Sequence, residues 1–179
     1  MKYIFSLSLI LFLSACAGPN PNPGERTTDV AWNSGRFDQA FSLAREQAAK
    51  GYPWAQLRLG IFYTNGWGTD KDLEAAEYWY KKALKQKGTG NWAEGLIVGA
   101  TGEPGYFNQN SDAIIAEYNI ALNYYTQNKK MNEAQTHINN VINESKGKSV
   151  FFCCEFSGGR YFTQDQFNDL KGKVESKLK

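Results

Sequence analysis

The segment from Gly51 to Gly88, GYPWAQLRLGIFYTNGWGTDKDLEAAEYWYKKALKQKG, constrains this chain more than any other. Pro53 suits the first turn of a helix, where its missing N–H has no intrahelical partner to lose. Ala55, Leu59, Phe62 and Tyr63 then recur at helical spacing and predict one apolar face. Gly60 falls inside that helix, at a cost of about 1 kcal/mol relative to alanine. Close approach of a partner helix, which a side chain at 60 would block, is the physical compensation. Asn65-Gly66-Trp67-Gly68 stops the helix and turns the chain. Asp70 and Asp72 are N-cap candidates for a second helix. Its inward stripe is Leu73, Ala76, Tyr80, Ala83 and Leu84, with Trp79 at the border. Lys81, Lys82, Lys85 and Lys87 enrich its end in positive charge, as the helix dipole favours, and Gly88 ends it. Two helices folded back on each other in this way cannot bury their own apolar face, and about three such units are needed for stability.

The same residues resemble the Sel-one-like repeat, a relative of the tetratricopeptide repeat. The resemblance is carried by Ala55-Gln56, Leu59-Gly60, Tyr63, Asn65-Gly66, Gly68, Lys71-Asp72, Ala76, Trp79-Tyr80, Lys82-Ala83 and Gly88. Pro53, Thr69 and Trp67 depart from it, Trp67 standing in a normally polar slot. Members of that family act mostly as adaptors and scaffolds. The resemblance therefore implies an all-α fold, a short α/α solenoid of Sel-one-like or tetratricopeptide-like helix pairs, and a protein-binding role.

Further units are expected on either side. Residues 32–51 carry Phe37, Ala40, Leu43, Ala44, Gln47 and Ala48 and resemble the second helix of a truncated repeat, with Ser34 as its cap. Residues 52–88 are the full repeat. Residues 112–146 read as a degenerate repeat. Its first helix runs through Ala116 to Tyr124, with Ala121 in the place of Gly60. A short TQNKKMN turn follows, and a second helix reaches about Ser145. Between them, 89–111 is an insertion with Gly90, Gly95, Gly99, Gly102 and Gly105, read as a short helix near 91–98 and a surface loop. Gly88-Thr89-Gly90 lacks the lysine-serine ending of a phosphate loop. Residues 147–179 hold the apolar VFFCCEF stretch and a capping C-terminal helix. Thr163 and Gln166 form its capping box, Phe162 and Phe167 its hydrophobic staple, and Phe167, Leu170, Val174 and Leu178 its stripe.

The amino end has a different character. Lys2 precedes the apolar run Ile4–Leu13, which is too short to span a bilayer as a helix. Leu13-Ser14-Ala15-Cys16 resembles the lipobox of bacterial lipoproteins. That resemblance implies a signal peptide at 1–15, cleavage before Cys16 and a diacylglyceryl-modified, acylated Cys16. One acyl chain holds a membrane only marginally, whereas two or three anchor durably. No Asp follows Cys16, so the analogy favours the outer membrane of a Gram-negative cell and its periplasmic face. Residues 16–31 are expected to be the lipidated end and a flexible tether, since Pro19, Pro21 and Pro23 favour extended backbone.

The whole chain has 20 Lys+Arg against 18 Asp+Glu. A balance so near neutrality offers no charge argument for nucleic acid or an anionic surface. Catalytic groups do not converge. His137 is the one histidine and sits on a helix beside asparagines, where a surface or half-buried role outweighs that of general base. No HExxH, GxSxG or DxDxDG motif is present, and no metal or cofactor is indicated. Cys153 and Cys154 are adjacent. They are either a vicinal disulfide in an oxidising periplasm or two ordinary reduced positions of an apolar stretch. With Glu155 they supply a thiol-dependent or hydrolytic enzyme reading, which lacks a histidine partner; the expectation is that the chain is not an enzyme.

In tetratricopeptide-type pairs the first helix of each repeat lines the inner surface. Carried over, the partner-binding candidates are Trp54, Leu57, Ile61, Thr64 and Asn65, then Ile115, Tyr118, Leu122, Tyr125 and Thr126. Such an apolar patch is a docking surface or is covered by the insertion or VFFCCEF. The chain is therefore expected to be a membrane-anchored adaptor that binds another envelope protein. The alternative is an immunity lipoprotein that neutralises a secreted antibacterial effector such as a phospholipase.

Overall fold

The computed structural model describes residues 24–86, 111–145 and 162–179, and they are all-α. The helices are α1 (Glu25–Asn33), α2 (Phe37–Ala49), α3 (Pro53–Asn65), α4 (Leu73–Leu84), α5 (Ser111–Thr126), α6 (Met131–Glu144) and α7 (Gln164–Lys177). Consecutive helices from α1 to α7 pack on one another, and α3 also touches α5, as α5 does α7. The lipobox with Cys16, nearly all of the 89–111 insertion, and Cys153 and Cys154 lie outside the described residues.

Helices α3 and α4 form where the sequence predicts. Pro53 occupies the first turn of α3, and Gly66 closes it in the left-handed conformation at φ 72°. Asp72, not Asp70, caps α4: its Oδ1 accepts from the backbone N–H groups of Glu74 and Ala75 at 3.0 and 2.9 Å. The close approach at Gly60 is real. A Cβ built there would lie 2.3 Å from a Tyr80 ring carbon, so the ring of α4 rests directly on the backbone of α3. The Tyr80 hydroxyl hydrogen-bonds Thr64 Oγ1 at 3.0 Å, and Asn123 Nδ2 of α5 donates to the same oxygen at 3.4 Å. Tyr80 and Asn123 are buried, and burial pushes the Tyr80 phenol far above its usual range. One buried polar chain thus ties α4 to α3 and α3 to α5. Buried polar groups that find partners in this way fix the register of the helices that carry them.

Two expectations at the amino side are corrected. Residues 25–31 are not an extended tether but most of α1. No side chain caps α1, whose N-cap is Gly24 at φ 79°. Local propensity therefore does not explain it; tertiary contacts do. Thr28, Ala31 and Trp32 are buried, and Glu25 and Asp29 meet the buried Arg58 of α3 at 3.3 and 2.9 Å. Burial raises the Asp29 carboxyl, and Arg58 works against that rise. Ser34 does not cap α2, whose N-cap is Arg36 without a side-chain bond. It closes α1 instead, its Oγ donating to the Val30 carbonyl at 2.7 Å.

Trp67, the departure from the repeat pattern, belongs to this junction. Its ring stacks on Phe37 at 5.8 Å and meets Trp32 edge-on at 4.7 Å, while Trp32 also packs on Phe62 at 4.8 Å. The α3–α4 turn is thereby fastened to α1 and to the start of α2. Aromatic pairs of this kind contribute about 0.5–1.5 kcal/mol each beyond their burial.

Within residues 162–179 the structure follows the sequence closely. The capping box of α7 is formed in both directions: Thr163 Oγ1 accepts from Gln166 N–H, and Gln166 Oε1 accepts from Thr163 N–H. Phe162, Phe167, Leu170 and Val174 are buried, but Leu178 lies past the helix end and is 41% exposed, so the stripe stops one position early.

Candidate functional site

The expected inner surface is largely core. Trp54, Leu57 and Ile61 are 2–4% exposed, and Ile115 is buried as well. Helix α3 is buried nearly all round, from Pro53 to Phe62, because α2, α4 and α5 pack on it. Tyr118 is also buried; its ring stacks on Phe162 at 3.8 Å and 13°, docking the segment that leads into α7. That burial pushes its phenol up to about 12. These five side chains therefore offer no free surface to a partner. Leu122 and Tyr125 are partly buried against the core, and Thr64 is engaged with Tyr80. Only Asn65 and Thr126 of the expected set are exposed, and Asn65 Nδ2 donates to the Ile61 carbonyl at 2.8 Å.

An open cleft of about 310 Å³ lies elsewhere, between α4 and the end of α5 with its following turn. Glu74, Glu77, Tyr78 and Lys81 line it from α4; Tyr124, Gln127, Lys129 and Lys130 line it from the other side. The centre is Glu77. Its Oε1 accepts from Tyr124 Oη and Lys81 Nζ at 2.6 Å each, and from Lys130 Nζ at 3.2 Å. Lys81 also donates to Tyr124 Oη at 3.0 Å, and Lys130 stands 4.8 Å from the Tyr124 ring centroid. Lys130 starts α6 from the left-handed region at φ 50°, a conformation that costs a non-glycine residue roughly 1–2 kcal/mol. Tyr78, at the rim, is 57% exposed. Lys82 lies 5.7 Å from its ring centroid and 4.9 Å from that of Trp79.

Burial alone would raise the Glu77 carboxyl, but the bonds from Lys81, Tyr124 and Lys130 together outweigh it and bring it from 4.5 down to about 2. A carboxylate depressed in the folded state adds stability above its unfolded pKa and loses it as pH falls through the folded value. The contribution of Glu77 is therefore full above about pH 5 and fades from about pH 4.5 towards pH 2. Lys81 and Lys130 are nearly half exposed, so water screens the pairs and about 1–2 kcal/mol is the expected size. Replacing Glu77 with Gln should cost that amount at pH 7 in urea unfolding, and the gap between variant and wild type should narrow at pH 3. A gap constant across that range would refute the assignment.

A side-chain hydrogen bond joins the two helices of the later pair. His137 Nδ1 of α6 hydrogen-bonds Glu117 Oε2 of α5, and the imidazole lies 5.7 Å from the Tyr124 ring. His137 is thus half-buried and structural in its contacts, as its sequence context suggests. Among the described residues no three His, Cys, Asp or Glu side chains gather as a metal site, and no helix is long and apolar enough to cross a membrane.

Sequence reasoning missed the cleft. Glu77 and Lys81 are an i, i+4 pair and were legible as such. Tyr124, Lys129 and Lys130 belong to a different helix pair, and no local signal placed them opposite Glu77.

No protein-family model and no solved structure matches the chain. A 46-residue stretch is 46% identical to a protein described as chitin synthase regulator SKT5 of Saccharomyces cerevisiae. The alignment covers 26% of this chain and spans 7% of the length of that relative.

Proposed function

We propose that this chain is a membrane-anchored periplasmic lipoprotein that works as a protein–protein interaction module, a short α/α solenoid of Sel-one-like helix pairs moored through lipid on Cys16. The observation that carries the reading is the construction of the pairs. α3 and α4 meet at the backbone of Gly60 under Tyr80, and α5 and α6 pack as a second pair beside them. Paired helices stacked in this manner bury their apolar faces in one another and leave side clefts lined by charged and aromatic groups, which suit recognition. The partial likeness to a protein named as a regulator agrees with a role exercised on another protein, though it spans only 7% of that relative. The lipobox and the proline-rich residues that follow it support mooring at the outer membrane of a Gram-negative cell.

Two measurements test this. Mass analysis of the mature protein should find Cys16 as the amino terminus with its acyl adduct, and Cys16→Ser should release the chain from the membrane fraction. Pull-down from detergent-solubilised envelopes should recover one protein in stoichiometric amount. Recovery of none, or an unmodified Cys16, would defeat the respective half of the reading.

A further inference from the structure

We infer that the α4/α5 cleft takes an acidic segment of the partner protein, whose carboxylates bind the Lys129–Lys130 end while an apolar or aromatic side chain rests on Tyr78. This rests on the interaction-module reading and adds the chemistry of what is bound.

The argument begins with donors. A lysine ammonium carries three N–H groups. Lys81 gives one to Glu77 and one to Tyr124, and Lys130 gives one to Glu77. One donor on Lys81 and two on Lys130 remain. Lys129 is exposed at the cleft and takes part in none of the ion pairs among the described residues, so its ammonium is open to a ligand. A phenol and two ammonium groups converge on Glu77 Oε1, and its effect is to hold Lys81 and Lys130 at one end of the cleft. Glu74 stands at the rim as the other negative charge, which leaves the lining with three lysines against two carboxylates.

Shape and polarity narrow the ligand. The cleft is open and flanked by Tyr78 and Tyr124, so it suits an extended chain with a side chain that can lie on a ring. Carboxylates accept charge-assisted hydrogen bonds from ammonium donors, and a neutral segment would leave the lysines as they are. Attraction at such a rim is set mostly by charge and falls with salt, the screening length shrinking from about 10 Å at 0.1 M to about 3 Å at 1 M.

The probe is a fluorescein-labelled Glu-Glu-Phe-Glu-Glu peptide, titrated with the purified full chain by fluorescence anisotropy. Gln-Gln-Phe-Gln-Gln is the neutral control, and vesicles of phosphatidylglycerol test a membrane surface as the anion source. The acidic peptide should bind about tenfold more tightly than the neutral one, and that advantage should collapse at about 1 M salt. Lys129→Glu should weaken acidic-peptide binding about tenfold, because it reverses an exposed charge without removing a contact of the fold. Arg45→Glu, at an exposed position of α2 away from the cleft, should change nothing. Equal binding of the two peptides, or undiminished binding by Lys129→Glu, overturns the proposal. So does vesicle binding that depends on Lys129 while the peptide is ignored. Envelope pull-down separates the two levels: a partner recovered equally by wild type and Lys129→Glu leaves the module standing and removes the cleft. Peptide binding without any envelope partner does the reverse.

Discussion

Alanine at Gly68 should lower stability by about 3 kcal/mol. Two costs add there. Gly68 has φ 67°, where a Cβ costs roughly 1–2 kcal/mol. That Cβ would also lie 2.3 Å from the Phe37 carbonyl oxygen and 2.8 Å from the Asp38 amide nitrogen. Both are backbone atoms at the start of α2, so relief requires the α3–α4 turn and α2 to part. Parting them pulls Trp67 off Phe37 and Trp32, and forced repacking of this sort typically costs about 1–3 kcal/mol. Gly66 is the internal control. It too has positive φ, at 72°, but its nearest neighbour would be 3.3 Å away, so Gly66→Ala should cost only the conformational share, about 1–2 kcal/mol. Urea midpoints at constant slope report both values. Equal losses at the two positions would show that the α2 contact contributes nothing.

Alanine at Gly60 should destabilise the protein by about 2 kcal/mol, although mid-helix glycine to alanine ordinarily gains about 1 kcal/mol. The reversal of sign comes from Tyr80. Three of its ring atoms would stand 2.3, 2.4 and 2.8 Å from the new Cβ. The ring is fully buried and its hydroxyl is held by Thr64, so it cannot swing aside without breaking the polar chain to Asn123. Overpacking of about 1–3 kcal/mol or more, less the helical gain, gives the net figure. Gly172 on α7 supplies the contrast. Nothing lies within 4 Å of a Cβ there, so Gly172→Ala should stabilise by up to about 1 kcal/mol. Shortening the obstacle tests the cause: in a Tyr80→Leu background, Gly60→Ala should lose most of its penalty, a coupling read from a double-mutant cycle. A Gly60→Ala protein more stable than wild type would end this account.

The cleft shows a different relation between sequence and structure. Its lysines were visible as helix-end charge and as part of a polar turn, but their joint use was not. Glu77 draws Lys81 from its own helix and Tyr124 and Lys130 from more than forty positions away. The repeat resemblance directed attention to the inner face of α3. There Trp54, Leu57 and Ile61 turned out to be covered. An apolar face identified by spacing is compatible with a docking surface and with a core, and only the neighbours distinguish them.

What the chain determined by itself was local. Helix period, the cap at Asp72, the left-handed stop at Gly66 and the capping box at Thr163 depend on residues within one or two turns of each other, so they can be read in order along the sequence. The glycine at 60 even announced that another helix would press on it. Tertiary structure alone decided the rest. α1 exists because Arg58 and the ring of Phe62 receive Asp29, Glu25 and Trp32, not because residues 25–33 prefer a helix. Trp67 is an anchor because Phe37 and Trp32 arrive beside it. The cleft is charged as it is because α4 and the α5–α6 turn are brought face to face. Each of these depends on contacts between distant segments, whose free energy exists only once the helices have packed.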